Sequence, residues 1–137
     1  MVKILLSMSE TATRYRFGRN RRLRGRRAFS QVYAERVRQI AGPLTVYSRP
    51  NGLTLPRLGL SVSASVGSAV RRNRIKRLIR EAFRLGQHDW PAAYDLIVVV
   101  RRHEPATLGE YQRLLSQAGK RLHGVWESRS DGAVASE

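Results

Sequence analysis

The chain contains no cysteine among its 137 residues. Disulfide frameworks, thiolate catalysis and cysteine-based zinc sites are therefore excluded, and a reducing compartment is favoured. Long apolar runs are also lacking, because none approaches the ~20 residues that a membrane-spanning helix requires. The apolar stretch within residues 1–6 is shorter than the ~7–15 residues of a secretory signal core. From these absences we expect a soluble, cytoplasmic protein without a membrane partner.

Acidic side chains are scarce, because 10 Asp and Glu stand against 26 Lys and Arg, for a net charge of +16. Residues 1–80 carry 19 basic and two acidic side chains, whereas residues 81–137 carry seven basic and eight acidic ones. A positive potential confined to one part of a molecule is typical of a surface that binds a polyanion. Arginine supplies 23 of the basic residues, and its planar guanidinium matches phosphate and stacks on bases.

Side chains that could carry catalysis are few and dispersed. The histidines His88, His103 and His123 fall in a predicted loop, at a strand end and at the end of the last helix. None lies in the basic half of the chain, although a nuclease needs proton-shuttling groups near its substrate. The sequence contains no His-Glu-x-x-His zinc signature, P-loop or nucleophile elbow. We therefore predict no catalytic residue, metal site or cofactor on the protein itself.

The length predicts a single domain, and an apolar content of 42% is sufficient for a modest core. Residues 1–21 show no sustained periodicity and are predicted to form a basic, mostly disordered N-terminal arm. Residues 22–123 hold the periodic segments and form the predicted domain. Residues 124–137 are small, polar and acidic, and we expect a flexible C-terminal tail there.

The first predicted helix carries Phe29, Val32 and Tyr33 on one face. Its apolar stripe either continues through residues 37–40 or gives way there to a short strand. Further strands are predicted for residues 44–48, 58–63 and 95–100. The last of these is a nearly continuous apolar run, which is typical of a strand covered on both sides and often paired in parallel.

Two longer helices complete the pattern. The second helix begins at Ser68, a favourable N-cap, and its apolar face comprises Ile75, Leu78, Ile79, Ala82 and Phe83. The last helix begins at Thr107 with a capping box that ends on Glu110. The order of helix, two or three strands, helix, strand and helix predicts an α+β sandwich.

Positive charge is concentrated near the start of the second helix. Its polar positions are Arg71, Arg72, Asn73, Arg74, Lys76, Arg77 and Arg80. No acidic residue precedes Glu81 in this helix, although the macrodipole penalises cations at a helix N-terminus by about 0.3–1 kcal/mol each. Bound phosphates reverse this penalty, because backbone N–H groups and guanidinium groups then converge on anions. We therefore predict an RNA-binding surface rather than an ordinary solvated face.

The same residues resemble a known family. Residues 72–84 read RNRIKRLIREAFR and follow GLSVS at residues 59–63. Both motifs, at this spacing, are similar to those of the protein subunit of bacterial ribonuclease P. The resemblance extends back to FSQVY at residues 29–33 and forward to the last helix, so that it covers about residues 22–123. A joint match of this length is specific, whereas a lone Arg-Asn-Arg would not be.

This resemblance implies an α-β-β-β-α-β-α order, with a short first strand near residues 37–40. It also implies a left-handed crossover between the parallel strands, an exception to the usual hand. The implied function is that of the RNA-binding subunit of ribonuclease P, an endoribonuclease that removes the 5′ leader of precursor tRNA. Catalysis would belong to the RNA subunit and Mg²⁺. The implied partners are ribonuclease P RNA and precursor tRNA. DNA is not an expected partner, because nothing in the sequence resembles a recognition helix with base-reading side chains.

By position, the resemblance also implies two further RNA contacts. A cleft for the single-stranded leader would be lined by Phe29, Tyr33, Tyr47, Ser61 and Ser63. The basic arm would present Arg22, Arg24, Arg26 and Arg27. Leader sequences vary, so stacking on aromatic rings, worth about 1–3 kcal/mol per base, suits their recognition. Core packing is the alternative role for the three aromatic residues, and the two serines either admit RNA or merely suit the strand.

A structural RNA-binding protein, such as a ribosomal protein or an RNA chaperone, is the main alternative, since it would share the charge, size and layout. The aromatic residues of the cleft together with the Arg-Asn-Arg motif favour the ribonuclease P reading. The chain also departs from the family pattern. Ala64 and Ser65 stand where members commonly carry paired lysines, so phosphate contacts at that strand end are less expected.

Overall fold

The protein is described by a computed structural model over residues 21–135, with side chains described to residue 130. The predicted arm, residues 1–21, thus lies almost wholly outside the described residues. Within the described range the order is the predicted α-β-β-β-α-β-α. The elements are α1 (Arg26–Ala34), β1 (Arg38–Ala41), β2 (Leu44–Pro50), β3 (Arg57–Ser61), α2 (Ala69–Gly86), β4 (Tyr94–Val100) and α3 (Leu108–Ala135).

The four strands form one sheet in the order β1-β2-β4-β3. β1 pairs antiparallel with β2, β2 pairs antiparallel with β4, and β3 pairs in parallel with β4. Residues 38–41 form a strand rather than a continuation of α1, because Arg36 adopts a φ of 58° and turns the chain after the helix. Helix α2 connects β3 to its parallel neighbour β4. The family resemblance implies that this crossover is left-handed.

One face of the sheet carries the main core. Helices α2 and α3 pack on this face through the apolar stripes that the sequence predicted, with Ile75, Ile79, Phe83, Tyr111 and Leu122 fully or almost fully buried. The central strand β4 is buried at all but one of its positions. The predicted continuous apolar strand is therefore confirmed, with one parallel and one antiparallel neighbour.

The opposite face of the sheet is only partly covered, by α1. Here Leu23, Val32 and Ile97 form a small buried cluster, and Phe29, Tyr33 and Tyr47 pack against its rim half-exposed. A sheet with one face closed by two long helices and the other by one short helix leaves room beside the short helix. That room is where the candidate cleft lies.

The chain before α1 runs along the outer edge of β3. Arg22 forms a parallel bridge with Leu58, and the backbone N–H of Leu23 donates to the carbonyl of Leu58 at 2.9 Å. Leu23 is buried beneath α1. These contacts bring the end of the basic arm beside the sheet and beside α2.

Helix α3 extends to Ala135, which differs from the flexible tail predicted for residues 124–137. The reason is packing, because Val125 and Trp126 continue the buried stripe of α3 against the main core. The indole Nε1–H of Trp126 also donates to Oγ of the buried Ser48 on β2 at 2.9 Å. A buried hydroxyl that gains a partner in this way stabilises the final turns of the helix.

Candidate RNA-binding surface

Helix α2 begins as the sequence predicts, since Oγ of Ser68 accepts a hydrogen bond from the backbone N–H of Arg71 at 3.2 Å. The first turn contains no acidic residue. Helix α3 has the opposite arrangement, with Glu110 in its first turn and Thr107 as its cap. The N-terminus of α2 therefore presents positive charge where α3 places a compensating carboxylate.

Part of the predicted arginine surface is a groove. Its volume is about 410 Å³, and its lining consists of one residue of the arm and five of α2, namely Arg22, Asn73, Arg77, Arg80, Glu81 and Arg84. A smaller groove of about 180 Å³ joins Lys76 and Arg80 to Arg22, Arg24 and Phe29. The end of the arm and one face of α2 thus form a continuous cationic surface along the outer edge of β3.

The electrostatics of Arg80 show how closely these cations approach one another. Burial lowers the pKa of Arg80 below its ordinary value, and the positive charges of Arg22 and Arg24 lower that pKa further. Guanidinium groups held together in this way repel one another in the free protein. A phosphate placed among them would relieve that repulsion and accept charge-assisted hydrogen bonds.

The remaining predicted arginines of α2 lie outside this groove. Arg71 donates to Glu104 at 3.3 Å, and Nε of Arg72 donates to the carbonyl of Gly67 at 3.2 Å. Arg74 is exposed. The predicted set is therefore split, because residues 73, 77 and 80 share the groove with the arm whereas residues 71, 72 and 74 lie outside it.

The predicted cleft residues do come together on the α1 side of the sheet. The rings of Phe29 and Tyr33 meet edge to face with centroids 6.4 Å apart, and those of Tyr33 and Tyr47 do so at 4.8 Å. Phe29 lies over Gly59, where an added Cβ would stand 2.6 Å from Cζ of the ring. The three rings form one row from β3 to β2. They are partly buried against the small cluster under α1 and keep part of their surface open to solvent.

The two serines of the predicted cleft lie at the end of β3. The Tyr33 hydroxyl makes a hydrogen bond with the side chain of Ser61, which partly offsets the rise in the pKa of Tyr33 caused by burial. Ser63 is exposed, and its Oγ lies 2.6 Å from Oγ of Ser65. Ser61 is thus part of the aromatic cleft, whereas Ser63 belongs to the short 3₁₀ turn that leads into α2.

The predicted basic arm is partly helix. Arg22 and Arg24 precede α1, but Arg26 and Arg27 are its first two residues and are exposed. Helix α1 also lacks an acidic residue in its first turn, and its N-cap, Gly25, provides no side-chain hydrogen bond. The N-termini of α1 and α2 therefore both carry arginines without an acidic residue in the first turn.

Two arginines beside the predicted sites, one in the cationic groove and one next to the aromatic cleft, were absent from the set predicted from the sequence. Arg84 lines the larger groove, although Glu81 holds its guanidinium by hydrogen bonds of 3.0 and 2.6 Å. Its position four residues after Arg80 could have predicted it, because residues four apart lie on the same face of a helix. Arg38 on β1 donates to the Tyr47 hydroxyl at 3.2 Å, but the pairing of β1 with β2 that brings them together is not visible in the sequence.

Two of the three histidines make hydrogen bonds with tyrosine hydroxyls. His103 lies 2.7 Å from the Tyr111 hydroxyl and 2.8 Å from the carbonyl of Arg101. His123 lies 2.8 Å from the Tyr94 hydroxyl and 3.0 Å from Glu127. Both side chains join helix α3 to the rest of the fold. Over the described residues, no three His, Cys, Asp or Glu side chains are grouped as metal ligands, and no helix is long and apolar enough to cross a membrane.

Comparison with known proteins agrees with this geometry. Residues 17–123 match the sequence profile of the family described as Ribonuclease P. The ribonuclease P protein component of Azotobacter vinelandii is 41% identical over 122 residues, which cover 86% of this chain and 90% of that protein. The corresponding protein of Syntrophus aciditrophicus is 40% identical over 83 residues, 61% of this chain and 70% of that protein.

Solved structures agree with this result. The RNase P protein of Staphylococcus aureus superposes with a TM-score of 0.61 at 33% identity, covering 73% of this chain and 93% of that one. The RNase P protein of Thermotoga maritima gives a TM-score of 0.63 at 32% identity, covering 70% of this chain and 92% of that one. The matched range contains the cationic helix and the aromatic row, and the chain belongs to the ribonuclease P protein family, the RNA-binding subunits of a tRNA-processing ribonucleoprotein.

Proposed function

We propose that this chain binds ribonuclease P RNA and precursor tRNA through two adjoining surfaces, and so assists endonucleolytic removal of the 5′ leader. The groove between α2 and the arm binds the phosphate backbone of the catalytic RNA. The aromatic row of the cleft binds the single-stranded leader. The observation that carries the proposal is the junction of the two surfaces at Phe29, which lines the smaller cationic groove and also begins the aromatic row.

Charge and geometry support the first half of this proposal. The groove brings guanidinium groups from two separate segments within repelling distance, and phosphate is the ligand that removes such repulsion. Folded RNA presents phosphates from neighbouring strands, so a groove formed by two segments suits it better than a single cationic helix would. This backbone recognition carries no sequence information.

The character of the aromatic row supports the second half. Stacking tolerates any base and is worth about 1–3 kcal/mol per base, which fits a leader of variable sequence. Phe29 and Tyr33 lie on α1 and Tyr47 lies on β2, and their rings adjoin on the partly covered face of the sheet. Tyr33 and Tyr47 also place hydroxyl groups at the rim, where a sugar or phosphate can accept a hydrogen bond.

We propose further that the catalytic step and its Mg²⁺ belong to the RNA subunit, as the family resemblance implies. The role of the protein's own residues is then to bind and orient RNA. The hydrogen bonds of His103 and His123 with buried tyrosines support this division, because these imidazoles are held within the fold, away from the cationic groove.

The experiment is 5′-leader cleavage of a precursor tRNA at low Mg²⁺ by a bacterial ribonuclease P RNA, with and without the protein. We expect cleavage when both are present and none from protein alone. Cleavage by the protein alone would place catalysis on its side chains. Binding of the RNA without any stimulation of cleavage would favour a purely structural RNA-binding role.

A further inference from the structure

A row of residues crosses the whole sheet beside α1. In the strand register, Ser61 of β3 pairs with Val99 of β4, Val99 pairs with Thr45 of β2, and Thr45 pairs with Ile40 of β1. Paired residues point to the same face of a sheet, so these four side chains form one shelf. The first three are half-buried. Ile40 is 55% exposed.

Helix α1 covers the next row of the sheet and leaves this shelf at its side. Phe29 lies over Gly59, and Tyr33 packs against Tyr47. Gly59 and Tyr47 both pair with Ile97, one row away from the shelf. The Tyr33 side chain reaches across to Ser61 on the shelf, so the aromatic row forms a wall along it.

The other side of α1 is closed by polar contacts. Arg49 donates to Gln31 of α1 at 2.9 Å and lies 3.8 Å from the carboxylate of Glu35. In the same row Asp95 holds Arg57 through hydrogen bonds of 2.7 and 2.6 Å. The two arginines on this side are thus already paired with carboxylates. The shelf, by contrast, has no acidic residue among its four members.

Arg38 stands at the far end of the aromatic wall. It pairs with Tyr47 across β1 and β2, donates to the Tyr47 hydroxyl at 3.2 Å, and holds its guanidinium carbon 6.0 Å from the centroid of that ring. Since residues 38 and 40 of a strand point to the same face, the exposed Arg38 adjoins the exposed Ile40. A cation and an apolar surface thus meet at the sheet edge opposite the cationic groove.

We infer that the leader-binding cleft continues across the sheet to β1, where Ile40 supports a leader base and Arg38 contacts the leader backbone. This inference rests on the proposed function, because it extends the site assigned there to the leader. Three strand spacings of about 4.8 Å separate β3 from β1, a distance of about 14 Å. A strand stacked as it is in a duplex, at about 3.4 Å per nucleotide, spans that distance with about four nucleotides. The β1 contacts are therefore made only by leaders longer than those that reach the aromatic row.

RNA is the occupant that the neighbouring residues favour. The shelf begins beside the groove of arginines at β3 and ends at a further arginine on β1, and its wall consists of rings that can stack on bases. Single-stranded RNA requires this combination of a cationic path and stacking surfaces. Exposed apolar residues are common on protein surfaces, but Ile40 lies in register with the cleft floor and beside an arginine that is hydrogen-bonded to a cleft tyrosine.

The test is the affinity of the reconstituted holoenzyme for precursor tRNA with a leader of about two or about eight nucleotides, lengths below and above the four that the shelf holds. The test protein carries Arg38→Gln and Ile40→Thr. Glutamine keeps the length and hydrogen bonding of position 38 without the charge, and threonine keeps the branched Cβ that suits a strand. The matched control carries Arg121→Gln and Leu53→Thr, because Arg121 is exposed on α3 and Leu53 is 52% exposed in the loop after β2.

We expect the test protein to lose affinity for the long leader by about fivefold to tenfold, near the lower end of what one lost base stack produces. Its affinity for the short leader and that of the control for both leaders stay unchanged. Equal losses on both leaders, or no loss on either, would overturn the inference. A photoreactive base near the leader's 5′ end should also crosslink to residues 38–40, and crosslinking confined to α1 would count against the β1 contact.

A third variant separates this inference from the function on which it rests. Tyr33→Ala removes the centre of the aromatic row and should weaken binding of the long leader whether or not β1 takes part. If Tyr33→Ala weakens that binding and the β1 variant does not, the proposed cleft stands and its extension to β1 is wrong. If neither variant lowers the affinity for the long leader more than the affinity for the short one, the assignment of the cleft itself fails.

Discussion

Phe29 and Gly59 are in such close contact that residue 59 has no room for a side chain. A Cβ there would lie 2.6 Å from Cζ and 2.9 Å from Cε1 of the phenyl ring. Real Cβ atoms do not approach other atoms so closely, so the ring would have to move. The glycine of the Gly-Leu-Ser-Val motif therefore holds the first ring of the aromatic row at its height above the sheet.

We expect Gly59→Ala to displace Phe29 and to destabilise the fold by about 1–3 kcal/mol, as overpacking usually does. Leader-dependent affinity should fall as well, because the row loses its first ring. Chemical denaturation and binding of precursor tRNA measure the two effects. Gly109→Ala is the control, since its Cβ would enter open space and alanine favours a helix by about 0.5–1 kcal/mol. An unchanged stability of Gly59→Ala would contradict the close packing.

Neutralising the groove should change the salt dependence of RNA binding. With Arg77 and Arg80 both replaced by glutamine, the slope of log K against log salt should become shallower by about 1.5, or about 0.7–0.9 for each phosphate contact. Binding of ribonuclease P RNA over a range of salt concentrations measures the slope. Arg121→Gln on α3 should leave it unchanged. A slope that does not respond to the double substitution would make the groove an ordinary solvated surface.

The end of α3 should contribute to stability although its sequence resembles a tail. We expect Trp126→Ala to cost about 3 kcal/mol, since it removes packing against the core and leaves the buried hydroxyl of Ser48 without its indole donor. Thermal unfolding measures the loss. Ser128→Ala, at an exposed position two residues on, should change the stability by less than about 0.5 kcal/mol. If Trp126→Ala left the stability unchanged, the end of α3 would be frayed rather than packed.

Tyrosine ionisation should limit stability at alkaline pH. Burial raises the pKa of Tyr33, Tyr94 and Tyr111 above the ordinary value of 10.0. Because the folded-state pKa lies above that of the unfolded chain, the stabilisation is complete below pH 10 and is lost as pH rises through the folded-state pKa. Denaturant unfolding between neutral pH and pH 11 should show this decline. Tyr111→Phe should make the decline shallower, and the same steepness in both proteins would exclude Tyr111 as a contributor.

Local patterns predicted the elements because their causes are local. Ser68 caps α2 through its own side chain, and the apolar stripes of α2 and α3 follow the helical repeat. The capping box at Thr107 holds only in part. Thr107 accepts from the N–H of Glu110 at 3.2 Å, but the Glu110 carboxylate accepts from Arg113 at 3.2 and 2.5 Å. A nearby guanidinium outcompetes the backbone N–H in that position.

Features that depend on register could not be predicted from the residues alone. The aromatic row combines α1 with β2, and the shelf combines all four strands, so their members are neighbours only after the sheet has formed. The resemblance to a family predicted Tyr47 as a residue of the cleft, but it did not predict Arg38 or Ile40. The extent of α3 had a readable signal, since Val125 and Trp126 continue the spacing of Ala118 and Leu122. The small and acidic residues around Val125 and Trp126 are typical of a flexible tail, and for that reason a tail was predicted there instead of a helix.

The bridge between Arg22 and Leu58 has a consequence for self-association. An open strand edge can recruit a second chain through its unpaired N–H and carbonyl groups. Here the protein's own N-terminal segment covers the β3 edge, and the opposite edge strand is only four residues long and displays an arginine. Strand addition is therefore disfavoured at both edges of the described sheet, which limits edge-to-edge pairing with a second copy of the chain.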